Sequence, residues 1–172
     1  MSTVGVGIIT CNREDFYKSC FNSLKQCSID ELVTVNDGKP YKEDTVEHFT
    51  GTHYIQHDVN RGVGITKNDA LRYLLDKDCE HIFLIEDDIV IGATDIFTRY
   101  IDAAKASGLW HLMYGYHGPA NKHPQSKLPV PRMVMNYDKG IKLAFNRHCV
   151  GAFCYYHKGV LKNVGLMDET YK

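Results

Sequence analysis

Glu86-Asp87-Asp88 are three consecutive acids at the end of an uncharged, β-rich run, Ile82-Phe83-Leu84-Ile85. Such a run reads as a strand buried on both faces of a parallel sheet. In open α/β sheets the ligand crevice lies beyond the carboxyl ends of the strands. Three carboxylates gathered there repel one another and are costly to keep ionised unless a cation compensates. Hard oxygen donors of this kind suit Mg²⁺ or Mn²⁺, ions that commonly also hold substrate phosphates. The chemistry on offer is therefore metal-assisted handling of a phosphate-bearing ligand. Acids also end surface strands for solubility alone, so the surrounding elements must decide between the two.

Those elements alternate. Val4 to Thr10 is a short apolar strand, and Asn12 is expected to cap the helix that follows, with Glu14 and Asp15 in its first turn. Phe16, Cys20, Leu24 and Cys27 fall at helical spacing and predict its core face. Leu32 to Val35 is a second strand, ending at Asn36-Asp37-Gly38; a short helix around Lys42 to Phe49 and a strand at His53 to Gln56 follow. The Gly-rich turn Asn60-Arg61-Gly62-Val63-Gly64 leads to a helix from about Thr66 to Leu75. After the acidic strand, Thr94 is expected to cap a helix ending at Gly108, and Leu109 to Tyr114 reads as another strand with Trp110 in the core. This alternation predicts an α/β fold with a mixed, mostly parallel central sheet flanked by helices. From Gly115 the character changes to a Pro-, His- and Lys-rich loop, and Met133 to Tyr137 and Ile141 to Phe145 flank an Asp-Lys-Gly hairpin turn.

At 172 residues, 44% hydrophobic and 24% charged, the chain is the size and composition of one soluble domain. A formal net charge of −1 gives no reason to expect nucleic acid or an anionic membrane as partner, so any polyanion would have to be bound locally. The six cysteines show no C-x-x-C pair and no zinc spacing, which suits a reducing compartment, and the nine histidines form no H-x-x-x-H or H-E-x-x-H pattern. No signal peptide or bilayer-spanning stretch is visible, so a cytoplasmic location is the default expectation.

Three strand ends carry polar groups suited to one ligand: Thr10 to Arg13, Asn36 to Gly38, and Glu86 to Asp88. An Asp after a buried strand can accept from the imide N–H of a uracil ring, and the helix near Thr66 offers free N–H groups to anions, with Arg61 and Lys67 adding charge. Here the sequence resembles the family-2-type, GT-A-fold glycosyltransferases. Val6 to Arg13 is similar to their "V-x-I-I-x-T-Y-N-R" opening and Val33 to Gly38 to their "V-V-D-D-G" strand. Asn60-Arg61-Gly62 with Thr66 to Ala70 resembles "N-x-G … A-R-N-x-A/G". Leu84 to Asp88 resembles the strand of the "D-x-D" metal motif in a Glu-Asp-Asp variant, followed by Asp95 and Phe97. Gly151-Ala152-Phe153 through Met167-Asp168-Glu169 looks like the acceptor-side "G-x-F-D-E" segment. Cys11 and Asn36 depart from the aromatic and the first Asp of the usual motifs.

The resemblance implies a single GT-A-like catalytic domain over 1–172, with 1–114 binding the nucleotide sugar and 115–172 facing the acceptor. Thr10, Asn12, Arg13, Asp37 and Asn60 would surround the nucleoside, with Asp37 on the base, and Lys67 would lie near the base or diphosphate. Glu86 and Asp88 would be metal ligands for Mn²⁺ or Mg²⁺, Asp88 the direct one, and Asp87 would approach the ribose or sugar. His148 or His157 could add a third ligand. The implied reaction is inverting transfer from a UDP-sugar to a saccharide or other hydroxyl acceptor. Family members usually follow the "D-E" segment with an "E-D" pair whose Asp is the general base, and the chain stops at Lys172. Either it is a truncated core, or Asp168 or Glu169 serves instead. A non-catalytic nucleotide-sugar-binding module of a larger polymerase is the alternative. A sugar-nucleotide pyrophosphorylase would want a Gly-rich phosphate loop after the first strand, and Thr10 to Asp15 has no Gly.

Overall fold

The computed structural model describes residues 2–43, 45, 52–115 and 119–170. The strands are β1 (Val4–Thr10), β2 (Glu31–Asn36), β3 (His53–Gln56), β4 (His81–Glu86), β5 (His111–Gly115), β6 (Met133–Asn136), β7 (Lys142–Phe145) and β8 (Cys149–His157). Among the described residues the helices of more than one turn are α1 (Glu14–Leu24), α2 (Val63–Asp76), α3 (Ile96–Ser107) and α4 (Lys158–Val164). The helix expected around 42–49 lies largely outside the described residues.

Six strands form one sheet in the order β3-β2-β1-β4-β8-β5. β1, β2, β3 and β4 run parallel, whereas β8 is antiparallel to both β4 and β5. The sheet is thus mixed and mostly parallel, as the alternation of elements predicts. From β1 the chain moves outward through β2 and β3, then returns to the other side of β1 as β4. The carboxyl ends of β1 and β4 are therefore the switch point at which such sheets open a crevice.

Side-chain alternation divides the core into two layers. On one face, Val6 and Ile8 of β1, Phe83 and Ile85 of β4 and Phe153 and Tyr155 of β8 pack beneath α1 and α3. On the other, Val33, Ile82, Leu84, Cys154 and Tyr156 meet Ala70, Leu71 and Leu74 of α2 and Leu161 of α4. Gly7 lets α2 come close: a Cβ there would lie 2.9 Å from Ala70 Cβ and 3.0 Å from Leu84 Cδ2.

Several expected details change. The buried stripe of α1 is Tyr17, Cys20, Phe21 and Leu24; Phe16 is 55% exposed and lies under the Arg13 guanidinium. Asn12 does not cap α1, because it adopts a left-handed φ of 56° and its Oδ1 accepts from Lys39 N–H at 2.8 Å. α2 starts at Val63, three residues before the expected Thr66, directly after Gly62 at φ 90°. Asp95, not Thr94, precedes α3, and it pairs with Arg99 rather than with a backbone N–H. Trp110 stands before β5, over one-third exposed and with its ring against His157. β6 and β7 form the expected antiparallel hairpin about a turn at Asp138–Gly140. β8 is inserted antiparallel between β4 and β5, which the alternation of elements does not predict. All six cysteines are free thiols. Among the described residues no helix is long and apolar enough to cross a membrane.

Candidate active site

Ladder register brings the three polar strand ends together. Thr10 is paired with Asn36, and Ile9 with Glu86. The chains continue the pairing past the strands: Asp37 N–H donates to Thr10 O at 2.9 Å and Asp87 N–H to Ile9 O at 3.1 Å. Gly38 allows the turns after β1 and β2 to touch, since a Cβ there would sit 2.6 Å from Asn12 N.

Asp87 is fully buried. It accepts from Thr10 Oγ1 at 2.6 Å and from Arg13 Nε at 3.3 Å, and Arg13 Nη2 closes a second contact with its other oxygen. Arg13 Nη1 also reaches Asp88 Oδ2 at 3.2 Å, so one guanidinium bridges both aspartates. Burial pushes the Asp87 carboxyl above the usual aspartate range, opposed by the Thr10 hydrogen bond and the Arg13 charge. Tyr41, which carries no motif in the sequence, completes this corner. Its hydroxyl bonds Thr10 Oγ1 and accepts from Arg13 N–H, while its ring packs on Tyr17.

Glu86 belongs to a different cluster. Lys67 Nζ of α2 donates to Glu86 Oε1 at 2.9 Å and to Gly151 O at 3.0 Å. Glu86 and Asp88, expected as a metal-binding pair, thus answer to different cations. Among the described residues no group of three His, Cys, Asp or Glu converges on a metal position. Those residues therefore build no closed protein cage for a cation. The residues present fit a Mg²⁺ or Mn²⁺ of the kind that keeps few protein ligands, and the half-exposed Asp88 carboxylate is the one that would hold it. His157 cannot contribute: it pairs with His81 at the opposite end of β4. His148 adjoins Cys149 at the acidic end, where its carbonyl accepts from Asn121.

Asp37 is buried and heavily committed. Oδ1 accepts from Arg61 N–H and lies against His57 Nδ1, both at 2.7 Å, and Oδ2 accepts from Gly62 N–H at 2.9 Å. These hydrogen bonds outweigh burial and hold its carboxyl below the ordinary aspartate range. Asn60 Nδ2 donates to Asp37 O at 3.0 Å and to Cys11 Sγ at 3.5 Å. Asp37 and Asn60 therefore pin the turn that starts α2.

Three consecutive α2 residues tie the site together. Lys67 holds β4 and β8. Asn68 donates to Met167 O at 2.9 Å and Glu169 Oε1 at 3.0 Å, and accepts from Met167 N–H at 2.9 Å. Asp69 Oδ2 lies 2.9 Å from His57 Nε2, and its carboxylate also pairs with Arg61 and Arg72. Arg72 passes on to Glu169, whose carboxyl is held low by Asn68 and then Arg72. Asp168 is lowered by Thr170, whose hydroxyl and N–H both donate to its Oδ1. Neither Asn68, Asp69 nor His57 stood out in the sequence as a site residue. Asn68 and Asp69 fall inside the Thr66 to Ala70 segment of the family resemblance and His57 in none of its motifs, and in neither case does the sequence name a partner.

Residues 5–165 match the family model described as Glycosyl transferase family 2. The chain belongs to that family. Its fold is also that of known glycosyltransferase structures. One is the mannosyltransferase PcManGT from Pyrobaculum calidifontis in complex with GDP-Man and Mn²⁺, with TM-score 0.71, 14% identity, and 96% of this chain and 47% of that one covered. Another is S. aureus TarS 1-349, with TM-score 0.67, 18% identity and coverages of 97% and 50%. The same TarS fragment in complex with UDP gives TM-score 0.67, 19% identity and coverages of 98% and 51%. The chain spans about half the length of these structures. No curated protein matches it.

Proposed function

We propose that this family 2 chain binds a UDP-sugar across the carboxyl ends of β1, β2 and β4 and, with Mn²⁺ or Mg²⁺, transfers the sugar with inversion to a hydroxyl acceptor. The observation that carries this reading is the Arg13 bridge over Asp87 and Asp88 beside Thr10, placed at the switch point of the sheet. When bound, the metal would supply Lewis-acid stabilisation to the departing diphosphate, and Asp88 is the residue that would hold it. Arg13 and Lys67 keep positive charge beside the phosphates. Thr10 and Asp87 form the wall of the ribose side. Asn12, Asp37 and Asn60 shape the nucleoside pocket by fixing its turns, and this building role takes up most of the Asp37 carboxylate.

The proton of the attacking hydroxyl needs an acceptor. Of the two acceptor-side acids, Glu169 is engaged by Arg72 and Asn68, which leaves Asp168 as the better base. Base assistance is worth about 10²–10⁴-fold in rate, so Asp168→Asn should slow turnover by that factor with nucleotide binding intact. A second reading, a nucleotide-sugar-binding module without turnover, is favoured by one observation: both acids already accept hydrogen bonds from the protein, Asp168 from Thr170 and Glu169 from Asn68 and Arg72.

Titration calorimetry with UDP and with GDP, each with and without Mn²⁺, tests the proposal. Wild type should bind UDP more tightly with Mn²⁺, and chelation by EDTA should remove the gain. Asp88→Ala should lose the metal-dependent part. If Asp88→Ala binds UDP in Mn²⁺ as tightly as wild type, the metal assignment is wrong. Tighter binding of GDP would overturn the uridine donor. Metal-dependent binding without sugar release from any UDP-sugar would select the second reading.

A further inference from the structure

The net charge of −1 hides an uneven distribution. Between residues 119 and 157 the chain carries Lys122, Lys127, Arg132, Lys139, Lys142 and Arg147 against a single acid, Asp138. None of these six cations is ion-paired among the described residues. Interleaved with them are large apolar side chains in the open: Leu128 at 65% exposed, Val130 at 51%, Met133, Val134 and Met135.

The segment is folded. Lys122 bridges Pro129, Asn121 Nδ2 donates to His148 O at 2.7 Å, and β6 pairs with β7 in register from Met133–Phe145 to Asn136–Lys142. It forms a two-stranded sheet separate from the main one, and a groove of about 1520 Å³ runs between the hairpin and α3 with β5. Every residue of β6 is exposed, on both faces. Several large apolar side chains left exposed in one folded segment mark an interaction surface.

We propose that the 121–147 region is a docking surface for an anionic lipid bilayer. The charge pattern selects the occupant. Unpaired Lys and Arg attract acidic headgroups, and exposed Leu, Val and Met are the groups that bury into the headgroup–acyl boundary. A soluble polyanion would use the cations and leave the apolar side chains in water. The position suits the site. The segment leaves the sheet at Gly115 and rejoins it at Cys149, which pair with each other, while Phe153 pairs with Ile85. Both junctions therefore lie at the acidic end of β4, and the hairpin between them lies beside α3 and the edge strand β5. This inference does not depend on the reaction proposed above.

Vesicle co-sedimentation tests it. The chain should sediment with phosphatidylglycerol–phosphatidylcholine vesicles and stay in solution with phosphatidylcholine alone, and added salt should weaken binding. Each basic side chain near such a surface is worth about fivefold in partitioning, so Lys139→Glu with Lys142→Glu should weaken binding by about 25-fold or more. Met133→Ser with Met135→Ser should weaken it as well, at unchanged far-UV circular dichroism. Absence of binding to the mixed vesicles at low salt overturns the proposal. So does full vesicle binding by the Met pair together with equal competition by inorganic polyphosphate, which would make the surface a polyanion site. A dimer in sedimentation equilibrium that the Met pair dissolves, without vesicle binding, would assign the face to a second copy of the chain.

Discussion

Removing the Arg13 guanidinium should do more than delete a charge. It would leave Asp87, already pushed towards its neutral form by burial, with Thr10 but without its countercharge. Because Arg13 is itself 43% exposed, solvent screens part of the pair. Arg13→Ala should therefore cost about 1–2 kcal/mol rather than the larger penalty of a fully buried pair. Arg13→Lys should not restore it, since one ammonium cannot reproduce the fork that reaches two carboxylates; urea unfolding of the two variants checks both statements. Asp37 behaves in the opposite sense. Its folded-state pKa is lowered, so its stabilisation is present above the ordinary aspartate range and is lost as pH falls through the folded value. Asp37→Asn should cost roughly 2–3 kcal/mol near neutral pH, and its unfolding curve should approach that of wild type in acid. A constant gap across pH would show that the charge on Asp37 is not what stabilises the turn. At this scale the sequence displayed the strand-end groups Thr10, Arg13, Asp37 and Asp87, because a buried strand announces its own end. It concealed Tyr41, His57 and Asp69, whose meaning lies in partners 12 to 31 residues away. Asn12 differs from its expected role for the same reason: a helix cap is a local expectation, and the contact with Lys39 from the neighbouring turn prevails.

The helix α2 is the element on which the site depends. Lys67, Asn68 and Asp69 point to β4 with β8, to the 167–169 segment, and to His57, so a rigid shift of this helix moves three walls together. Gly7→Val would force such a shift, because even a Cβ at this position lies 2.9 Å from Ala70. Overpacking of this kind costs about 1–3 kcal/mol, visible as a lower Tm, and nucleotide affinity should fall with it although residue 7 is buried in the middle of β1. Asn68→Ala should act more locally, freeing 167–169; limited proteolysis near Thr170 should accelerate while Tm changes little. Most elements were legible from apolar periodicity and turn residues, β3 to the residue. The place of β8 was not. Gly151 to His157 is an apolar, aromatic run whose composition permits a strand, but its antiparallel insertion between β4 and β5 is decided by which edge is open, and that is a property of the assembled sheet.

For the molecule as a whole, the separation of charge should outweigh its sum. The chain should be retained on a cation exchanger at neutral pH despite its net charge of −1, and Lys139→Glu with Lys142→Glu should release it in the flow-through. Elution of wild type with the void volume would show that the basic region is shielded. The order of strands in the sheet has a consequence in time. Synthesis runs from β1 to β8, yet β8 lies inside the sheet, and β5 pairs with no other strand of it. Until residues 149–157 leave the ribosome, the apolar edge of β4 stands open and β5 has nothing to join. Long-range pairing of this sort is slow and exposes an adhesive edge. The nascent chain therefore spends its synthesis as a half-closed sheet, and a ribosome stall before Cys149 should yield an aggregating product rather than a smaller folded one.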